Sequence, residues 1–190
     1  MKRAIHPIEA ESYRILRSRI DLSHLPPLSR AVAERVIHAA ADVSFGASLV
    51  LDEAALERGR EALLAGAPIY CDARMAAAGI TSRAPIVPSS PPVEGMTRSA
   101  AAMRAAVAEA PPAAVWVVGN APTALAELVA RPPREPALIV GLPVGFVGAA
   151  EAKAALAATD LPCVTNIGER GGSAVAVAAV NALLYFEEPA

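Results

Sequence analysis

Apolar and polar positions along the chain follow two different rhythms. In the first third, apolar residues return every three or four positions, the spacing of one helix face. Ile8, Ile15, Leu16 and Ile20 form one such series. Ser12 lies four residues from both Ile8 and Leu16, so it is expected to face inward with them. Pro7 suits the first position of this helix, and Glu9 and Glu11 suit the positive end of its dipole. Pro26-Pro27 breaks the segment. Ser29 is then placed to cap a second helix running to about Asp42, and a third is expected over Glu53–Leu64, stopping at Gly66.

From Gly66 the rhythm changes to short apolar runs, each ending in a glycine, polar or proline turn and followed by a helix-like stretch. Pro68 to Asp72 leads into Arg74–Ala78, and Val115 to Gly119 leads into Thr123–Val129. Ala137 to Gly141 leads into Ala149–Ala158, and Cys163 to Gly168 leads into Ala174–Leu184. Strand, loop and helix repeated in this way predict an α/β fold with a largely parallel sheet flanked by helices, behind a helical N-terminal segment. The nearly unbroken apolar strands fit a sheet covered on both faces. At 190 residues the whole chain, 1–190, is read as one domain.

Composition narrows the function classes. Hydrophobic residues make up 54% of the chain and aromatics only 4%, so much of the apolar content is alanine. Mean hydropathy is +0.40. Even so, the longest apolar stretch, Ala174–Val180, is far shorter than the roughly 18–20 residues of a membrane span. The net charge of -2 has no basic block behind it, which argues against a nucleic-acid partner. Cys71 and Cys163 form no paired motif, and Met1 to Pro7 lacks the apolar core of a secretion signal; both predict a cytoplasmic protein.

The expected carboxyl ends of the strands carry the distinctive residues, and in open α/β sheets that edge binds ligands. Dinucleotide and P-loop glycine fingerprints are missing, and His6, His24 and His38 lack metal-ligand spacing. His38 stands mid-helix with Arg35 three residues before it and Asp42 four after, all on one expected face. A histidine so flanked is a candidate for proton exchange near neutral pH, although the same position suits an ordinary, partly buried helix histidine. Thr97 reads as the cap of a helix whose first turn, with Arg98, would form a small anion site. Asn120 reads as a cap before Pro122, again leaving free amides. Gly171, Gly172 and Ser173 allow backbone to approach whatever lies above the sheet. Each of these also suits plain turn chemistry; together they describe an edge fitted to a ligand with several carboxylates.

The ordered motifs resemble one family. His-Pro-Ile-Glu-x-Glu-Ser-Tyr, Arg-Val-Ile-His-Ala, Ala-Pro-Ile-Tyr-Cys-Asp, Thr-Arg-Ser-Ala-Ala-Ala-Met, Gly-Asn-Ala-Pro-Thr-Ala-Leu, Pro-Val-Gly-Phe-Val and Gly-Gly-Ser-Ala follow the order of the precorrin-8X methylmutases, including the cobalt-precorrin-8 enzymes. They span residues 6 to about 184. The resemblance implies an isomerase of cobalamin biosynthesis that moves a ring methyl group from C11 to C12 of precorrin-8X, giving hydrogenobyrinic acid, or acts on cobalt-precorrin-8. It implies a homodimer with a site partly built at the interface, and no methyl donor, metal ion or redox cofactor. It makes His38 the catalytic residue and brings Ser12, Arg35, Thr97, Arg98 and Ser99 to the substrate. Asn120, Gly171, Gly172 and Ser173 are expected beside them. The chain departs from the family pattern at Glu169, where relatives often carry arginine and here Arg170 follows. It departs again at Glu151-Ala152-Lys153, where glutamate-serine-lysine is usual, and in a short Pro88 to Pro92 segment. Two other readings compete: a non-catalytic tetrapyrrole carrier of the same fold, against which His38 speaks, and an α/β nucleotide-binding enzyme, against which the missing fingerprints speak.

Overall fold

The computed structural model describes residues 6–187, so the reading of Met1 to Ile5 as no secretion signal lies outside the described residues. The apolar series of the first helix turns inward less evenly than expected. Helix α1 (Pro7–Arg19) starts at Pro7, and the His6 Nδ1 accepts the Ile8 amide at 3.2 Å as its cap. Leu16 is buried, but Ile8 is 74% exposed and Ile15 37%. The cause is geometric: α1 lies against one helix, α2 (Pro27–Ala40), so one narrow stripe suffices. Ser29 does not cap α2. Pro26 precedes the helix, and the Glu53 carboxylate accepts from the Leu28 amide (2.7 Å), the Ser29 amide (2.8 Å) and the Ser29 hydroxyl (2.6 Å). The helix stops at Ala40, because Ala41 turns left-handed at φ 52°.

After α2 come a single turn, α3 (Phe45–Ser48), and a two-residue strand, β1 (Leu49–Val50), neither of which has enough length to show a period. Helix α4 (Glu53–Leu64) then spans the expected residues and stops at Gly66, whose φ is 86°. The four longer strands fall in the short apolar runs: β2 (Ile69–Cys71), β3 (Val115–Val118), β4 (Leu138–Gly141) and β5 (Cys163–Asn166). Between and after them come the helices α5 (Arg74–Gly79), α6 (Arg98–Glu109), α7 (Pro122–Ala130), α8 (Ala149–Ala157) and α9 (Ser173–Leu184).

The sheet order is β1-β5-β4-β3-β2, parallel throughout except for β1, which pairs antiparallel with β5. Alternation along the strands supplies two cores. Val115, Val117, Leu138, Val140 and Val164 face α2, α4 and α9. Trp116, Val118 and Ile139 face α6, α7 and α8. Since α6, α7 and α8 each run back from the carboxyl edge of the sheet, their starts line that edge, as does the start of α9 on the other face. On the outer side of β2, Ile86 pairs with the strand, donating to the Ile69 carbonyl (2.7 Å) and accepting from the Cys71 amide (2.8 Å), which closes an otherwise open edge. Among the described residues no helix is long and apolar enough to cross a membrane.

Candidate active site

The last turn of α2 reaches the carboxyl edge, and His38 sits on it. Ser12 of α1 meets it there: the Ser12 hydroxyl lies 2.9 Å from His38 Nδ1. Tyr13 stacks on the imidazole, with ring centroids 4.9 Å apart and planes 8° from parallel. One ring nitrogen and one ring face are therefore fixed, and Nε2 has no hydrogen-bond partner among the described residues. If Ser12 donates to Nδ1, Nε2 carries the proton and donates a hydrogen bond; with the other tautomer Nε2 accepts, and only the imidazolium, donating to Ser12 through Nδ1, can give a proton through Nε2. Burial pushes the Tyr13 phenol above its ordinary range, against the pull of Arg35, so Tyr13 stays a neutral platform. Arg35 faces Glu9 at 3.7 Å.

Asp42 does not share a face with His38. The left-handed turn at Ala41 carries it off the helix, and its carboxylate accepts from the Ser44 amide (2.9 Å) and hydroxyl (2.6 Å) and pairs with Arg170. The Ser44 bonds, with Arg170 beside them, hold Asp42 below the usual carboxylate range. That ion pair links the end of α2 to the loop after β5, and so brings His38 and Gly171-Gly172-Ser173 to one stretch of the edge.

In this loop the start of α9 is open. Gly172 precedes the helix at φ 130° and no side chain caps it. Ser173 is the first helical residue rather than the cap; it is 6% exposed, and its hydroxyl has no partner. A side chain at Gly171 would press into the Leu142 and Pro143 carbonyl oxygens, so only glycine lets the loop lie this low. Next to it, a Cβ on Gly119 would come within 2.7 Å of the Ser173 Cα, so the loops after β3 and β5 touch.

The start of α7 is filled instead. Asn120 does not cap it; Ala121 precedes the helix, and the Asp72 carboxylate accepts from the amides of Gly119 (3.0 Å), Asn120 (2.9 Å) and Ala121 (2.6 Å). Burial pushes the Asp72 carboxyl up and the three amides pull it down, with burial the larger. The Asn120 side chain is left exposed on the rim. Close by, Thr97 caps α6 as expected, accepting from the Ala100 amide at 3.2 Å, and its hydroxyl lies 2.7 Å from that of Thr123. Arg98 is exposed and Ser99 half-buried. Ser12, Arg35 and His38 thus come from helices on one face of the sheet, and Thr97, Arg98 and Ser99 from a helix on the other, with both groups at the same edge.

Comparison with known proteins points to one family. The family model described as Precorrin-8X methylmutase matches residues 7–186. The chain is 44% identical to the Precorrin-8X methylmutase of Pseudomonas aeruginosa, covering 93% of each. It is 40% identical to the Cobalt-precorrin-8 methylmutase of Salmonella typhimurium, over 94% of this chain and 93% of the relative. The solved Precorrin-8x Methyl Mutase from Thermus Thermophilus superposes with a TM-score of 0.83 at 37% identity, covering 93% of both chains. The chain belongs to the precorrin-8X methylmutase family.

Three features of the structure have no counterpart among the site residues expected from the sequence. Asp72 sits in the Ala-Pro-Ile-Tyr-Cys-Asp motif, but its partners lie 47 to 49 residues on. Phe146 and Val147 are 92% and 87% exposed on the loop between β4 and α8, although an apolar pair beside a strand reads as core. Glycines at φ 156° and 77°, Gly145 and Gly148, bracket that loop and are the signal for a raised turn. The third is Lys153, wholly buried in α8.

Proposed function

We propose that this chain isomerises precorrin-8X, or cobalt-precorrin-8, by moving the ring methyl group from C11 to C12 within one molecule. One carbon–carbon bond breaks as another forms and the ring π electrons shift, so no atom is gained or lost. The observation that carries the reading is the oriented His38, in a chain of this family. With Nδ1 held by Ser12 and one face covered by Tyr13, Nε2 is left to protonate or hydrogen-bond the macrocycle near the migrating group and to stabilise one tautomer. A carrier of the same fold has no use for a histidine fixed in this way.

The substrate is a broad apolar disc fringed with carboxylates. Exposed Phe146, Val147 and Ile167 suit its face. The open start of α9 at Gly171, Gly172 and Ser173, together with Arg98, Thr97 and Ser99 across the edge, suits the fringe. Arg35 and the Asn120 side chain are further polar contacts in this reading. The same reading includes a homodimer, for which exposed Ile8 and Ile15 on α1 offer an apolar strip, and a cytoplasmic setting, which the free cysteines Cys71 and Cys163 favour.

Incubation with precorrin-8X, and in parallel with its cobalt form, is expected to develop the visible spectrum of the corresponding corrin product. No spectral change with either would reject the reading. His38→Ala is expected to lower kcat by about a hundredfold to ten-thousandfold while product binding is largely kept; full activity would remove His38 from the chemistry.

A further inference from the structure

Lys153 is the most deeply buried charged side chain among the described residues, with no exposed surface at all. It sits in α8, a helix otherwise rich in alanine. Its Nζ donates to Asn166 Oδ1 at 3.0 Å and to the Arg170 carbonyl oxygen at 2.6 Å. Both acceptors are neutral. Asn166 in turn donates through Nδ2 to the Ile167 carbonyl (3.2 Å) and to the same Arg170 carbonyl (3.0 Å). Two donors from beneath therefore converge on one main-chain oxygen of the loop between β5 and α9. The loop is also held from the sides: the Ile167 amide donates to the Ser48 carbonyl (2.8 Å), and the Gly172 amide to the Leu142 carbonyl (2.8 Å).

Burying an ammonium against neutral acceptors costs stability, and a packed apolar side chain of similar size often restores it. The fold keeps the charge at a place where it sets one turn. That turn directs the Arg170 side chain to Asp42, just past the end of the helix that carries His38, and leads straight into Gly171-Gly172-Ser173.

We propose that Lys153 is a positioning residue for the methyl shift: through the Arg170 carbonyl it fixes the β5–α9 loop, which braces the end of α2 and holds the start of α9 open. It touches no substrate and acts through the loop. The charged group that reaches it is Glu169, whose carboxylate favours the ammonium; burial is the larger influence and brings Lys153 down to about 8. Glu169, which would repel a carboxylate fringe, thus has a favourable partner below the loop.

The inference rests on the methylmutase reading, and wild-type binding of hydrogenobyrinic acid tests that reading first. With binding established, Lys153→Met and Lys153→Gln are titrated with the same product and assayed for turnover. Lys153→Met is expected to melt within a few degrees of wild type and yet bind product about tenfold more weakly, with Lys153→Gln, which keeps a shorter donor, in between. Arg170→Ala, made alone and in the Lys153→Met background, reads the route: its effect on binding is expected to shrink to about a third or less in the double variant, because the loop is already released. Unchanged product affinity in Lys153→Met overturns the proposal, as do fully additive effects with Arg170→Ala. If Lys153→Met does not fold, wild-type affinity in Lys153→Gln overturns it equally. Stability against pH gives a further check. The folded value lies below that of the unfolded chain, so between the two the unfolded chain binds more protons, and wild type gains stability over Lys153→Met as pH rises from about 8. A flat difference over that range would mean that the ammonium is not buried beneath the loop, and would overturn the proposal as well.

Discussion

Two helix starts touch at the carboxyl edge of the sheet, and from the sequence they look alike. Each follows a buried strand, each is approached through glycine, and each has small residues in its first turn. At α7 the amides are spent on Asp72, three of them on one carboxylate. At α9 no side chain caps the helix, and Ser173 holds a buried hydroxyl without a partner. The first is an anion site that the protein fills itself; the second is uncapped, and in the proposed function it receives the ligand. A helix start is therefore a binding site only where the rest of the chain withholds its own acceptor.

The contrast can be broken most sharply at Gly171. Replacing it with alanine forces the loop off the Leu142 and Pro143 carbonyls. A displacement of about 1 Å at a site of this kind costs about a hundredfold, so Gly171→Ala is expected to lose at least that much turnover while the far-ultraviolet dichroism stays native. Wild-type kcat/KM would show that the α9 start need not lie where it does.

The converse change empties α7. Asp72→Ala should cost about 2 to 3 kcal/mol in a denaturant titration, since hydrogen bonds to a charged acceptor are lost and three amides are left bare. Millimolar formate should then restore part of the melting temperature of the variant and none of wild type. No rescue would mean that the emptied start does not behave as an anion site. The smallest effect is expected at Asn120, whose main-chain amide is already engaged and whose side chain stands on the rim. Asn120→Ala should change the dissociation constant of the product by about threefold or less, as rim contacts do; a tenfold change would return the α7 start to the binding site.

The difference between the two starts also marks what could be read from the sequence. The strands and helices from Gly66 onward were legible because each is set by its own residues: an apolar run, a glycine, then a helical period. The Thr97 cap was legible in the same way, whereas the pairing of Ser12 with His38 joins two helices and has no local signal. Asp72 was not legible either, because the amides it serves are distant in the chain and Asn120 stands nearer to them. Glu53 at the start of α2 is the same case: its partners Leu28 and Ser29 lie 25 and 24 residues away, and Ser29 offered a local cap in its place. Lys153 escaped because a lysine in a helix ordinarily reads as solvent-facing, and only the loop folded over it makes it interior. Ile8 and Ile15 kept the correct helical period but lacked a second neighbour to bury them.

The order of the sheet has a consequence for how activity appears during folding. From β2 to β5 each strand pairs with the next one in the sequence, so this part is built from short-range contacts and can form early. Ser12 and His38 belong to helices outside that succession, and α2 docks on α9, the last helix of the chain. Refolding chains should therefore regain most of their helical signal before their first turnover, with the histidine reaching its place after the surface it serves has been laid down.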